Sequence, residues 1–250
     1  MVAELIRVSL LGGIVAMDRG AGWSVMLSQP LVAACLAGAL VNPGPEWELW
    51  ALRVPIMVGA ILQLLLTDPA LPAAHRPRDT ATAGVVGSAV ALLGLPRLHP
   101  SLAVSAGGIL WVVLGVAAGL LSAVLGGWFA RLNRVGSAAV ARADELAQSG
   151  QADRFERLYW GGLVRLFLVG AAWAWGGTIL FLWVALTWLP KIASALTARR
   201  AGVLFATLLG AAVITAWNAH VRGRSRATRW AVLGALVTVF VLRGLGSLSP

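Results

Sequence analysis

Polar and ionisable side chains interrupt the long apolar stretches of the sequence, and they are the residues that could do chemistry. A charge or an amide at membrane depth is costly, so each one is a candidate functional residue. The candidates in the first half of the chain are Asp18, Ser28, Gln29, Gln63, Asp68, His75, Arg76, Arg78 and Asp79. Arg165 and Asn218 are the candidates in the second half.

The most unusual stretch is residues 67–79, where three prolines and five potentially charged groups separate two short apolar runs, 52–66 and 80–95. Non-helical backbone is tolerated at membrane depth only where it is buried in protein or lines a water-filled cavity. The pattern therefore predicts a broken or re-entrant hairpin near residues 52–95. Transporters often build substrate sites from such interrupted helices. The alternative is a water-exposed loop whose prolines end the two helices.

The polar groups at this insert suit a sugar ligand. A carboxylate or an amide can bind two hydroxyl groups at once, and Gln63, Asp68 and Asp79 supply those groups. We therefore predict these three residues to be substrate-binding. Signatures of soluble enzymes are absent from the sequence, which has no phosphate-binding glycine loop, nucleophile elbow or metal-ligand spacing. No catalytic residue, metal site or cofactor is expected.

Composition indicates which elements must position these residues. The chain is 59% hydrophobic and only 12% charged, whereas a soluble domain is about 45–50% apolar and about 25% charged. It also contains 12 Trp and 29 Gly, which suit headgroup boundaries and close helix packing respectively. The sequence therefore predicts an all-α membrane protein, a polytopic helical bundle.

The apolar runs divide this bundle into segments. They cover residues 5–17, 23–41, 52–66, 80–95, 101–130, 158–189, 201–217 and 230–248. One extended polar segment, 131–157, is predicted to be a cytoplasmic helical arm, which either docks on a partner or is a plain connector. The residues 1–250 are expected to form a single polytopic membrane domain.

The net charge of +10 comes from 19 Arg and one Lys against ten acids. A basic chain first suggests nucleic-acid binding, but these charges lie in short loops between apolar runs. That distribution is typical of positive-inside anchoring and of contact with anionic lipid. We therefore expect the lipid bilayer, and no nucleic acid, as a partner.

Three stretches of the chain resemble a known membrane family. The first runs from Asp18-Arg19 through Met26-Leu-Ser-Gln-Pro30 to Asn42, the second from Gly59-Ala-Ile-Leu-Gln63 to Asp79, and the third covers residues 119–160. Together they are similar to the IIC membrane component of the mannose/fructose/sorbose-type bacterial phosphotransferase system (PTS). The chain departs from that family by Gln63 in place of Glu, Gln29 in place of Arg and Asn42 in place of Asp.

The resemblance implies a sugar-translocating subunit, crossing the bacterial cytoplasmic (inner) membrane several times. The implied partners are a IID-like membrane subunit in an oligomeric complex, soluble IIA and IIB phosphocarrier components, and a hexose or amino sugar. Asp18, Ser28, Gln29 and Asn42 would support the site. Two alternatives remain open: a degenerate, non-transporting paralogue that regulates or scaffolds, and an unrelated small-solute permease or assembly subunit.

Overall fold

A computed structural model describes residues 1–21, 26–41, 48–66, 79–95, 104–133, 145–146, 148–193 and 198–221. These residues form seven main helices and, within the described ranges, no strand. The helices are α1 (Val2–Ala21), α2 (Pro30–Leu40), α3 (Glu48–Leu66), α4 (Thr80–Gly94), α5 (Val104–Asn133), α6 (Ala152–Ala193) and α7 (Ala198–Val221). The predicted all-α class is confirmed.

The helices have very different lengths. Three helices of the described part contain stretches long and apolar enough to cross a membrane: Gly108–Trp128, Ala152–Trp188 and Arg200–Trp217. By contrast, α2 has 11 residues and α4 has 15, which at 1.5 Å per residue gives about 16 Å and 22 Å. A hydrocarbon core is about 30 Å thick. Helices α3 and α4 form the two arms of the predicted hairpin, and residues 67–78 of the insert between them lie outside the described residues.

The start of α2 differs from the apolar run predicted over residues 23–41. Pro30 occupies the first turn of the helix instead of its interior. Proline has no backbone N–H and clashes with the preceding turn, so it is well accommodated where no intrahelical partner exists. Residues 26–29 form a turn before it, with Met26 in the left-handed region at φ 64°.

Helices α2 to α5 pack through glycines that allow backbones to approach closely. Gly38 of α2 faces the ring of Pro55 in α3, and a side chain there would overlap that ring. A Cβ added to Gly115 of α5 would lie 2.6 Å from the carbonyl oxygen of Gly87 in α4. Close packing of small residues is the usual way in which helices associate in lipid.

Helices α1 and α6 form the most extensive contact between any two helices. Gly12 lies against Ala174 and Gly170, and Ser9 Oγ donates a 3.0 Å hydrogen bond to the carbonyl oxygen of Ala171. Helix α7 packs on another side of the bundle, against α3 and α5.

Helix α6 is longer than the apolar run that predicted it. It begins at Ala152 inside the predicted polar arm and continues past Pro190 to Ala193. Gly161, Gly162 and Gly176 lie within this helix, which continues through all three of them. Residues 151–157 are exposed, while residues 134–144 of the arm lie outside the described part.

The tryptophans at the ends of apolar runs fall into two groups. Trp128, Trp160, Trp188 and Trp217 are more than half exposed on α5, α6 and α7, as headgroup-facing residues would be. Trp50 instead packs on Gly108 and has a packing role. Two further tryptophans near the ends of apolar runs, Trp47 and Trp230, lie outside the described residues.

Candidate functional site

The site begins with Asp79, the residue that caps α4. Its Oδ1 accepts a 3.2 Å hydrogen bond from the backbone N–H of Thr82, and its Oδ2 accepts one of 2.8 Å from Thr82 Oγ1. Its own backbone N–H donates to the carbonyl oxygen of Ala123 in α5 at 2.9 Å. A helix N-terminus carries partial positive charge and unpaired N–H groups. A carboxylate is therefore stabilised at this position.

Gln63 lies beside the start of a different helix. Its Oε1 is 3.5 Å from the backbone nitrogen of Leu31, in the first turn of α2. The residue at the local capping position, Gln29, is exposed and makes no side-chain capping bond. Gln63, from α3, therefore contributes at long range the acceptor that a local capping residue would normally provide.

Asp18 fixes the turn that leads into α2. Its side chain is buried near the end of α1, and its Oδ2 accepts a 2.9 Å hydrogen bond from the backbone N–H of Ser28. Met26 in the same turn has a left-handed backbone, which costs a non-glycine residue roughly 1–2 kcal/mol. The buried carboxylate offsets part of that cost, so Asp18 has a structural role.

These three places lie at one level of the bundle. Helix α2 runs antiparallel to α3, since Leu31 lies by Gly59 and Gln63 while Gly38 lies by Pro55. Helix α5 runs parallel to α3, with Gly108 by Trp50 and Gly119 by Leu62. Helix α4 is antiparallel to α5, with Gly94 by Trp111 and Asp79 by Gly126, so it is antiparallel to α3 as well. Gly84 of α4 touches the carbonyl of Pro30 so closely that a Cβ would overlap it. The N-termini of both short helices therefore lie at the level of Gln63, Asp79 and Asp18.

Two of the predicted site residues lie outside the described part of the chain: Asp68 and Asn42. The same is true of His75, Arg76 and Arg78. Arg165 is exposed on α6. Among the described residues, no three His, Cys, Asp or Glu side chains are arranged to hold a metal ion.

Sequence reasoning missed four residues that border Asp79. They are Thr82, which bonds both carboxylate oxygens through its N–H and hydroxyl, and the group Ser122, Gly126 and Trp173. The spacing Asp79-x-x-Thr82 before an apolar run is a capping signal that could have identified Thr82. Ser122 and Trp173 carry no such signal, because each side chain has only one polar atom and lies inside an apolar run.

Comparison with known proteins places this arrangement in a family. The family described as "PTS system sorbose-specific iic component" matches residues 2–181, which include α1 to α5 and most of α6. No curated protein matches the chain. A match over more than two thirds of the chain, covering every residue of the site just described, shows that the protein belongs to the sorbose-type IIC family of membrane components of the phosphotransferase system.

Proposed function

We propose that this protein is the sugar-translocating membrane subunit of a mannose-family phosphotransferase system, located in the bacterial cytoplasmic membrane and crossing it several times. It would work with a IID-like membrane subunit and with soluble IIA and IIB components that phosphorylate the arriving sugar. The protein itself supplies the path and the sugar site, and its residues 1–250 act as one membrane domain.

One observation supports this proposal most strongly. Two helices too short to cross a membrane, α2 and α4, start at the same level, and the polar side chains of Gln63 and Asp79 lie at those two starts. Interrupted helices whose N-termini meet near the membrane centre are a common design for transporter substrate sites. We propose Gln63 and Asp79 as sugar-contacting residues, with Asp68 next and Asp18, Ser28, Gln29 and Asn42 in support.

The capping bonds hold the proposed sugar contact in place. Asp79 accepts a hydrogen bond from Thr82 on each of its two carboxylate oxygens. Its half-buried side chain is held in one orientation by these bonds. Preorganised acceptors lose less entropy when a ligand hydroxyl binds.

The exposed start of α6 fits the proposed partner side. Arg154 and Arg157 are exposed there, next to Leu146 and Leu158. We propose that this face meets the phosphorylated IIB component, whose charge is anionic. Complementary charge would mainly raise the rate of encounter and would weaken with added salt.

The second candidate is a non-transporting paralogue that regulates or scaffolds. It is favoured by the capping role of both proposed sugar contacts. Gln63 and Asp79 stabilise the starts of α2 and α4, which gives each residue a structural role without any sugar. The unrelated permease loses its support, since the chain belongs to the IIC family.

The experiment that tests the proposal is radiolabelled hexose uptake in cells that lack their own mannose-type system. The chain is expressed with its IID, IIA and IIB components, and Asp79→Asn and Gln63→Ala are compared with the unmutated protein. Phosphorylated sugar that accumulates only with the unmutated chain supports translocation through this site. No uptake of mannose, fructose, sorbose or amino sugars by a normally assembled complex would favour the non-transporting paralogue.

A further inference from the structure

Trp173 has a position unlike that of the other tryptophans on α6. Its Nε1–H donates a 3.0 Å hydrogen bond to Ser122 Oγ in α5, and its ring is half buried. A Cβ placed on Gly177 of the same helix would lie 3.7 Å from Trp173 Cε2 and 3.7 Å from Val86 Cγ2 of α4. Trp175 and Trp183, on the same helix, are at least half exposed. Trp173 therefore joins α6 to α5 through its hydrogen bond and lies on the side of α6 that packs on α4.

The indole also borders the Asp79 carboxylate. A Cβ placed on Gly126 would lie 2.9 Å from Trp173 Nε1, 3.0 Å from Asp79 Cβ and 3.2 Å from Asp79 Oδ2. Trp173 Nε1 and the Asp79 carboxylate therefore both border the bare backbone of Gly126. The indole extends from α6 to this place, so its ring fills space near the carboxylate.

Trp111 provides a contrast within the same bundle. It is fully buried between α4 and α5, and within the described residues its Nε1 has no hydrogen-bond partner. A buried indole can thus pack in this protein without a partner for its N–H. At Trp173 the sequence supplies an acceptor, and the result is a ring fixed in one orientation beside Asp79.

From this geometry we infer that Trp173, held by Ser122, is a positioning residue that bounds the space near the Asp79 carboxylate and limits the size of the sugar substituent bound there. The inference rests on the proposed function and concerns the same site. It assigns selectivity between a plain hexose and an N-acetylated amino sugar to a residue of α6, a helix outside the predicted hairpin in the sequence that packs on its second arm, α4.

The test measures uptake of two radiolabelled sugars, mannose and N-acetylglucosamine, by the assembled complex. The variants are Trp173→Phe, which shortens the ring and removes the N–H, and Ser122→Ala, which removes only the acceptor. The matched controls are Trp175→Phe on the same helix and Ser88→Ala, whose buried hydroxyl has no partner within the described residues. Membrane abundance of each complex is measured in parallel.

Ser122→Ala is expected to raise the apparent KM for mannose about fivefold with an unchanged maximal rate, the change that one neutral hydrogen bond produces. Trp173→Phe is expected to raise the ratio of N-acetylglucosamine to mannose uptake at least about threefold, an estimate for space gained beside one ligand group. A purely structural role would lower the maximal rate for both sugars together and leave KM and their ratio unchanged.

The outcomes separate the inference from the proposed function. If the unmutated complex takes up neither of these sugars, nor fructose, sorbose or any other amino sugar, the function is refuted and the inference with it. Unmutated complex that transports, together with variants that behave like Trp175→Phe and Ser88→Ala, overturns the inference alone. If Trp173→Phe fails to accumulate in the membrane, the KM of Ser122→Ala decides.

Discussion

The backbone N–H of Asp79 donates a 2.9 Å hydrogen bond to the carbonyl oxygen of Ala123, which joins the start of α4 to the second half of α5. The bond uses main-chain atoms on both sides, so it depends on neither side chain, and only proline at position 79 would remove its donor. It means that variants of Asp79 change the chemistry of the carboxylate while this backbone link remains. The predictions below concern the side chains arranged around that link.

Thr82→Val should destabilise the protein by about 1.5–3 kcal/mol, the value of a hydrogen bond to a charged group. The substitution keeps the shape of a fully buried residue and removes the hydroxyl that donates to Asp79 Oδ2. The control is Thr178→Val, because Thr178 is equally buried and its hydroxyl has no partner within the described residues. Unfolding of both variants in a denaturing detergent series would show a loss for Thr82→Val alone, and equal losses would contradict the prediction.

Gly126→Ala should separate Trp173 from Asp79. The added methyl group would lie 2.9 Å from Trp173 Nε1 and 3.0 Å from Asp79 Cβ, and such overpacking costs about 1–3 kcal/mol. Gly161→Ala is the control, since nothing lies near the new methyl group there, and alanine improves a helix interior by roughly 0.5–1 kcal/mol. Thermal unfolding in detergent should therefore move in opposite directions for the two variants. An unchanged stability of Gly126→Ala would contradict the close approach of Trp173 and Asp79 to Gly126.

Gln63→Glu should stabilise the start of α2, whereas Gln63→Leu should weaken it. A carboxylate near the N–H of Leu31 interacts favourably with the helix dipole by about 0.3–1 kcal/mol. Leucine has a similar size and offers no acceptor. Thermal unfolding checks the order Glu, Gln, Leu, and sugar uptake shows whether the apparent KM rises for Leu. Equal stability of the three proteins would show that Gln63 does not cap α2.

Asp18→Ala should cost about 1–3 kcal/mol, because it leaves the Ser28 N–H without its carboxylate acceptor. Asp153→Ala is the matched control. Asp153 is an exposed acid in the first turn of α6, where removal of the charge should cost less than about 1 kcal/mol. Unfolding midpoints of the two variants should differ clearly, and a similar small loss in both would show that the turn at residues 26–29 does not depend on Asp18.

The chemistry-bearing residues could be chosen from the sequence because polar side chains stand out in an apolar chain. Gln63 and Asp79 were predicted on that ground, and they lie at the starts of α2 and α4. Their assignment as sugar contacts stays a prediction. What the polar pattern could not indicate was that each also has a capping bond, since that depends on which helix ends are neighbours.

The partner against which each helix packs could not be predicted from the sequence, because the helices are surrounded by lipid. In water an apolar stripe identifies the buried face of a helix, but in lipid both faces are apolar. The residues around Trp173 and those around Ser122 are mostly apolar. The sequence therefore does not show which of them face lipid and which face protein. For the same reason, the sequence indicates the contact between α1 and α6 only through small residues such as Gly12 and Ala174.

The contact between α1 and α6 has a consequence for how the protein is made. Ser9 and Ala171 are 162 positions apart along the chain, and a ribosome adds about 5–20 residues per second. Roughly ten to thirty seconds therefore pass between the synthesis of α1 and that of its partner α6. During that interval the bare backbone of Gly12 has only lipid or the insertion machinery against it. Defects in this pair should reduce the yield of newly made protein more than the lifetime of protein already assembled.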